Sequence, residues 1–175
     1  MSKGHIDQSG WAISEFNRVN FGDKRLSDRL VKIADSFANS PEKSINQACE
    51  DWSQSKAAYR FFQNDAISES EILASHVAKT IERSKGHDTI LAIKDTSYIS
   101  YKKQKKTQGL GIISARVRSK TTNFQAYGLI MHTTFVVRTD GLPIGLLDQN
   151  ISSRPPISEE VRELKKRSHG IALPI

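Results

Sequence analysis

The chain predicts an α+β fold, helices first and strands after, on three observations. Up to about Lys85, apolar residues recur at spacings of three and four. From Thr89 onward, β-branched and aromatic residues gather in strand-length runs. Gly86, a natural helix stop, stands between the two patterns. At 175 residues the chain is long enough for one good core, or for a helical unit joined to part of a second domain.

In the first region, Trp11 and Phe16 lie in a short amphipathic segment, and Gly22-Asp23 starts a longer helix with Asp23 as N-cap. Leu26, Leu30, Ile33 and Phe37 form its core-facing stripe. Arg25, Arg29 and Lys32 repeat one position earlier, as either a phosphate-facing row or a solvated surface with i,i+4 ion pairs. Asn39-Ser40-Pro41 ends this helix, and Ser44 to Gln47 has the form of a capping box that opens a short one. Lys43 and Ser44, at a helix start, suit a phosphate, although Ser44 is also simply the cap. Trp52 to Phe62 reads as a packing helix. Ser68 to Glu71 is a second capping box, with Ile72, Leu73, His76, Val77, Thr80 and Ile81 turned inward. His76 on that face reads as a satisfied core histidine rather than a metal ligand.

In the second region, Thr89 to Ile93 is a short apolar run that fits a strand buried on both faces, with Asp95 where the strand emerges. A carboxylate held there is well placed for a divalent cation. Lys102 to Asn123 reads as a long polar loop, followed by a strand over Phe124 to Val137. Thr139-Asp140-Gly141 is a hairpin signal, and a partner strand follows over Leu142 to Ile151, with Pro143 marking an edge or bulge. Ser158 to Arg167 looks like a capped helix, and Ala172 to Ile175 an abrupt end.

Charge is uneven. No acid lies between Asp95 and Asp140, where eight bases stand: Lys102, Lys103, Lys105, Lys106, Arg116, Arg118, Lys120 and Arg138. The remainder has 18 bases and 19 acids, so the net charge of +7 comes from this segment. It fits a polyanionic partner or, more plainly, a solvated loop. Cys49 is the only cysteine, which excludes a disulfide framework and a cysteine-based zinc site. With no apolar signal core after Met1 and no run near the roughly 18 apolar residues of a membrane span, the expectation is a cytoplasmic protein without membrane association.

Nucleophile elbows, phosphate-binding glycine loops and paired metal-binding histidines are absent from the sequence. Two-metal phosphoryl transfer needs several acids around cations about 3.5–4 Å apart. Beyond Asp95 the candidates are Asp88, Asp140, Asp148, Glu159, Glu160 and Glu163, and no spacing among them completes a set.

The ordered segments Trp11-Ala12, Glu15-Phe16, Phe21 to Leu26, Arg29-Leu30, Lys43-Ser44-Ile45 and Ala57 to Asn64 resemble bacterial DDE transposases of the insertion-sequence-four, transposon-five-like family. Leu91 to Ser97, Ser100-Tyr101, Gly141-Leu142-Pro143, Gly145-Leu146-Leu147 and Arg154-Pro155 continue the likeness over nearly the whole chain. The resemblance implies a helical domain for transposon-end DNA over 1–66, a connecting helix over 67–88, and the first strands of a ribonuclease H-like mixed sheet over 89–175. It implies that Asp95 is the first acid of an Asp-Asp-Glu triad and a ligand for Mg²⁺ or Mn²⁺. End contacts map onto Arg25, Arg29, Asn39, Lys43, Ser44 and Arg60, and the basic run adds Lys102 and Lys103. The second aspartate and the glutamate have no counterpart, so the expectation is the N-terminal part of a cut-and-paste transposase, inactive alone in strand cleavage. Its partners would be double-stranded transposon ends and the full-length enzyme. The alternative is a non-catalytic DNA-binding module that competes for the same ends.

Overall fold

A computed structural model of the chain describes residues 9–49, 51–101, 107–113, 117–119, 122–124 and 126–154. Five helices come first: α1 (Ser9–Phe16), α2 (Lys24–Ala38), α3 (Ile45–Ala48), α4 (Trp52–Phe62) and α5 (Glu69–Ser84). Each start from α2 onward carries a polar residue that meets otherwise unpaired N–H groups. Asp23 accepts from the Arg25 N–H, Asp51 from Gln54 and Ser68 from Glu71. Gln47 Oε1 accepts from the Ser44 N–H at 3.2 Å, the backward half of the expected capping box.

Six strands follow: β1 (Ile90–Ser100), β2 (Gly111–Ile112), β3 (Val117–Ser119), β4 (Thr122–Phe124), β5 (Tyr127–Arg138) and β6 (Pro143–Ser152). β5 is the hub, paired with β1, β2 and β6. β2 runs antiparallel to it, with Gly111 opposite Gly128, and β3 and β4 form a separate antiparallel pair. The β5–β6 turn closes through Arg138 N–H to Leu142 O at 2.8 Å, and Gly141 supplies its positive φ of 88°.

Three expectations change. β1 is a single strand of 11 residues and exposed along nearly its whole length, with Leu91 and Ile93 each 48% exposed. The apolar run signalled a strand correctly, but no element among the described residues covers its two faces. Asp95 therefore lies inside the strand and not at its exit. The segment Lys102 to Asn123 also contains β2, β3 and part of β4, because Gly111-Ile112 pair with β5 and Val117 to Ser119 with Thr122 to Phe124. Finally, Ile81 on α5 is 46% exposed, while Ser75 and Thr80 are the buried residues of that helix. Lys102, Lys103, the helix expected over Ser158 to Arg167 and the chain end fall outside the described residues.

The chain divides into two compact units, Met1–Ile93 with Thr134–Asp148, and Lys94–Thr133 with Gln149–Ile175. The first unit holds a core of Val19, Leu30, Ile33, Cys49, Ala58 and Phe61, flanked by Phe16, Phe21, Phe37, Ile45, Ile67 and Ile72. Phe61 packs edge-on against Phe21 and Phe62, with ring centres 6.0 and 5.7 Å away. This core joins α2 to α4, which decides what their outer faces can form together.

Candidate nucleic-acid interface

α2 and α4 border an open groove. Leu26 and Phe61 lie at its apolar floor, while Arg25, Arg29, Lys56 and Arg60 line it with Ser53, Ala57 and Asn64. No acid is among these residues. Residues 8–67 hold eight bases and eight acids, so the groove is basic through sorting and not through composition. The sorting follows from helix period: Arg25 and Arg29 are four apart on α2, and Lys56 and Arg60 are four apart on α4.

The four cations are not equivalent. Arg25 is held by the N-cap: its guanidinium meets Asp23 at 2.8 Å, and the Asp23 carboxylate also accepts the Arg25 N–H at 2.9 Å. The hydrogen bonds from the Arg25 side chain, then its N–H, hold Asp23 below the usual carboxylate range; Asp23 in turn raises Arg25. A phosphate must compete with that partner for Arg25. Arg29, Lys56 and Arg60 form no ion pair among the described residues, so their charge is free for a polyanion. Lys24 and Asp28 make the i,i+4 surface pair at 2.7 Å, so the solvated-helix alternative holds for that side of α2.

Arg25, Arg29 and Arg60, expected from sequence, thus meet in one groove, together with Lys56, which sequence reasoning passed over. Its i,i+4 relation to Arg60 was visible, but only packing of α4 on α2 turns that pair toward the α2 arginines. Asn39, Lys43 and Ser44 do not line the groove. Asn39 is the C-cap of α2, about 15 Å along the axis from Arg29 at the helix rise. Lys43 and Ser44 are exposed at the start of α3.

A second polar cluster ties α1, α5 and β6 together inside the first unit. Glu15 is 7% exposed and takes three contacts: Arg83 Nη1 at 2.7 Å, Arg83 Nη2 at 3.0 Å and His76 Nδ1 at 2.6 Å. Arg83 Nε also donates to Ile144 O at 3.0 Å, and the Leu146 N–H donates to His76 Nε2 at 2.9 Å. Because Nε2 accepts, these bonds assign the neutral imidazole with its proton on Nδ1. Burial pushes the Glu15 carboxyl up, but the hydrogen bonds and charge of Arg83, with a hydrogen bond from His76, outweigh it and hold the group below its ordinary range. Every partner here is internal, so the cluster is structural and His76 is the satisfied histidine its position implied.

Asp95 stands apart. Asp95 is exposed on β1, and the Ser97 hydroxyl donates to its Oδ2 at 3.2 Å. No group of three or more His, Cys, Asp or Glu suited to a metal ion exists among the described residues. Asp140 pairs with Arg138 at 2.6 Å and accepts the Leu142 N–H, a turn role. Glu159, Glu160 and Glu163 lie outside the described residues. Among the described residues no helix is long and apolar enough to cross a membrane.

The groove residues, from Arg25 to Asn64, all fall within a match to a known family. Residues 8–67, which take in α1 to α4, match the family model for transposase DNA-binding domains. This part of the chain is similar to the DNA-binding N-terminal domain of a transposase.

Proposed function

We propose that the chain is the end-binding N-terminal part of a DDE transposase of the insertion-sequence-four, transposon-five-like kind. The observation that carries this reading is the acid-free groove of Arg25, Arg29, Lys56 and Arg60 inside the segment that matches transposase DNA-binding domains. Transposon-end duplex would lie along the groove, its phosphates on Arg29, Lys56 and Arg60. Such contacts set register and supply affinity that falls with salt. Lys43, Ser44 and Asn39 would meet the duplex further along its length. The protein would work in the bacterial cytoplasm, beside full-length transposase.

The later strands are read as the start of a ribonuclease H-like catalytic core, with Asp95 as its first acid. A divalent ion such as Mg²⁺ or Mn²⁺ would polarise the scissile phosphate and generate the attacking nucleophile when several carboxylates hold it. Asp95 with Ser97 beside it does not make such a site, so no cleavage step is assigned to the described residues. A second reading is a non-catalytic module that occupies transposon ends through the same groove.

Binding to an end-sequence duplex across a salt series tests the groove. Arg29→Ala and Lys56→Ala should each weaken binding and lower the magnitude of the log K against log salt slope by about 1. Unchanged affinity and slope in both variants would remove the groove from the interface.

A further inference from the structure

The outward side of α4 carries a second feature. Trp52 is 74% exposed and Tyr59 42% exposed, and Lys56 lies between them at spacings of four and three, on one stripe. The buried residues of the helix, Ser55, Ala58 and Phe61, lie off this stripe. Phe62 is also exposed but stacks on Phe37 at 6.4 Å. Neither Trp52 nor Tyr59 has a ring partner among the described residues.

A single exposed aromatic needs no explanation. This pair has one because Lys56 belongs to both features: it stands between the two rings and lines the cationic groove. A duplex drawn onto Arg29, Lys56 and Arg60 would bring its base edges toward the stripe. The major groove admits one α-helix, and thymine C5-methyl is the apolar group it displays. Trp52 and Tyr59 are about 10 Å apart along the helix at its ordinary rise, close to three base-pair steps of about 3.4 Å each.

We propose that Trp52 and Tyr59 are specificity-determining residues that read A·T pairs by packing on thymine methyl groups in the major groove. The inference rests on the groove being a DNA site. Division of labour follows: the cations hold phosphate, which carries no sequence information directly, and the uncharged rings discriminate among bases.

The test uses the full chain and a duplex that this chain selects from a random-sequence pool. The duplex is made once with thymine and once with deoxyuridine throughout, so that the methyl groups are the only chemical difference. The thymine form should bind tighter by about four-fold for each methyl covered. The double substitution Trp52→Ala, Tyr59→Ala should erase that preference and leave the salt slope unchanged, because no charge is removed. Equal binding of the two duplexes by the unsubstituted chain overturns the proposal, and this comparison needs no variant to fold. A selected site without thymine, or a thymine preference that survives in the double variant, overturns it as well. If the chain binds no duplex above a mixed-sequence competitor, the groove reading itself fails.

Discussion

Glu15 shows how one side chain can be chemically prominent and still structural. Its carboxylate is nearly buried, and the bonds from Arg83 and His76 compensate the loss of water. Its folded pKa is depressed, so the unfolded chain binds the extra proton first as pH falls. The stabilisation from Glu15 is then complete above the ordinary carboxylate pKa and is lost as pH drops through the lower folded value. Urea unfolding between neutral and strongly acid pH should show this loss. Glu15→Gln should lower stability at neutral pH by about 1–3 kcal/mol and flatten the acid limb. A limb as steep in the variant as in the parent would assign it to other carboxylates.

At the scale of elements, α5 and β6 meet closely enough to exclude a side chain. Gly145 has φ of 152°, and a Cβ there would collide with Thr80 Oγ1 and come within 3.0 Å of Arg83 Nη2 and 3.2 Å of His76 Nε2. Thr80 is fully buried and cannot swing away. Gly145→Ala should therefore destabilise the first unit by more than the few tenths typical of a surface change, on the order of 1–3 kcal/mol. Amide exchange at Leu146 should accelerate with it, because the bond to His76 depends on that approach. Thermal unfolding and exchange that match the parent would show that the strand shifts without cost.

For the whole molecule, the proposed binding groove and the proposed catalytic acid can be tested independently. The groove lies within helices that share one core, whereas Asp95 belongs to no group of three or more His, Cys, Asp or Glu suited to a metal ion among the described residues. With Mg²⁺ or Mn²⁺ present, the chain alone is expected to bind an end duplex and leave both strands intact, and Asp95→Ala should bind equally well. Metal-dependent nicking that Asp95→Ala abolishes would show that the chain completes a catalytic site.

Much of this was legible beforehand for local reasons. Caps at Asp23, Ser44 and Ser68, the stripe of Leu30 and Ile33, and the turn at Asp140-Gly141 each depend on neighbours in sequence. By itself the sequence determined helices before strands, the register of the α2 stripe and the place of the β5–β6 turn. Burial of β1 was not legible, because an apolar run signals a strand without naming what covers it. Nor was the partnership of Glu15 with Arg83, 68 residues apart. Tertiary structure alone decided which cations share a groove, bringing Lys56 and Arg60 to Arg29 while leaving Lys43 and Ser44 off it. The reason is physical: period places a charge on a face of its own helix, but only the packing of Phe61 and its neighbours settles which face of another helix it meets.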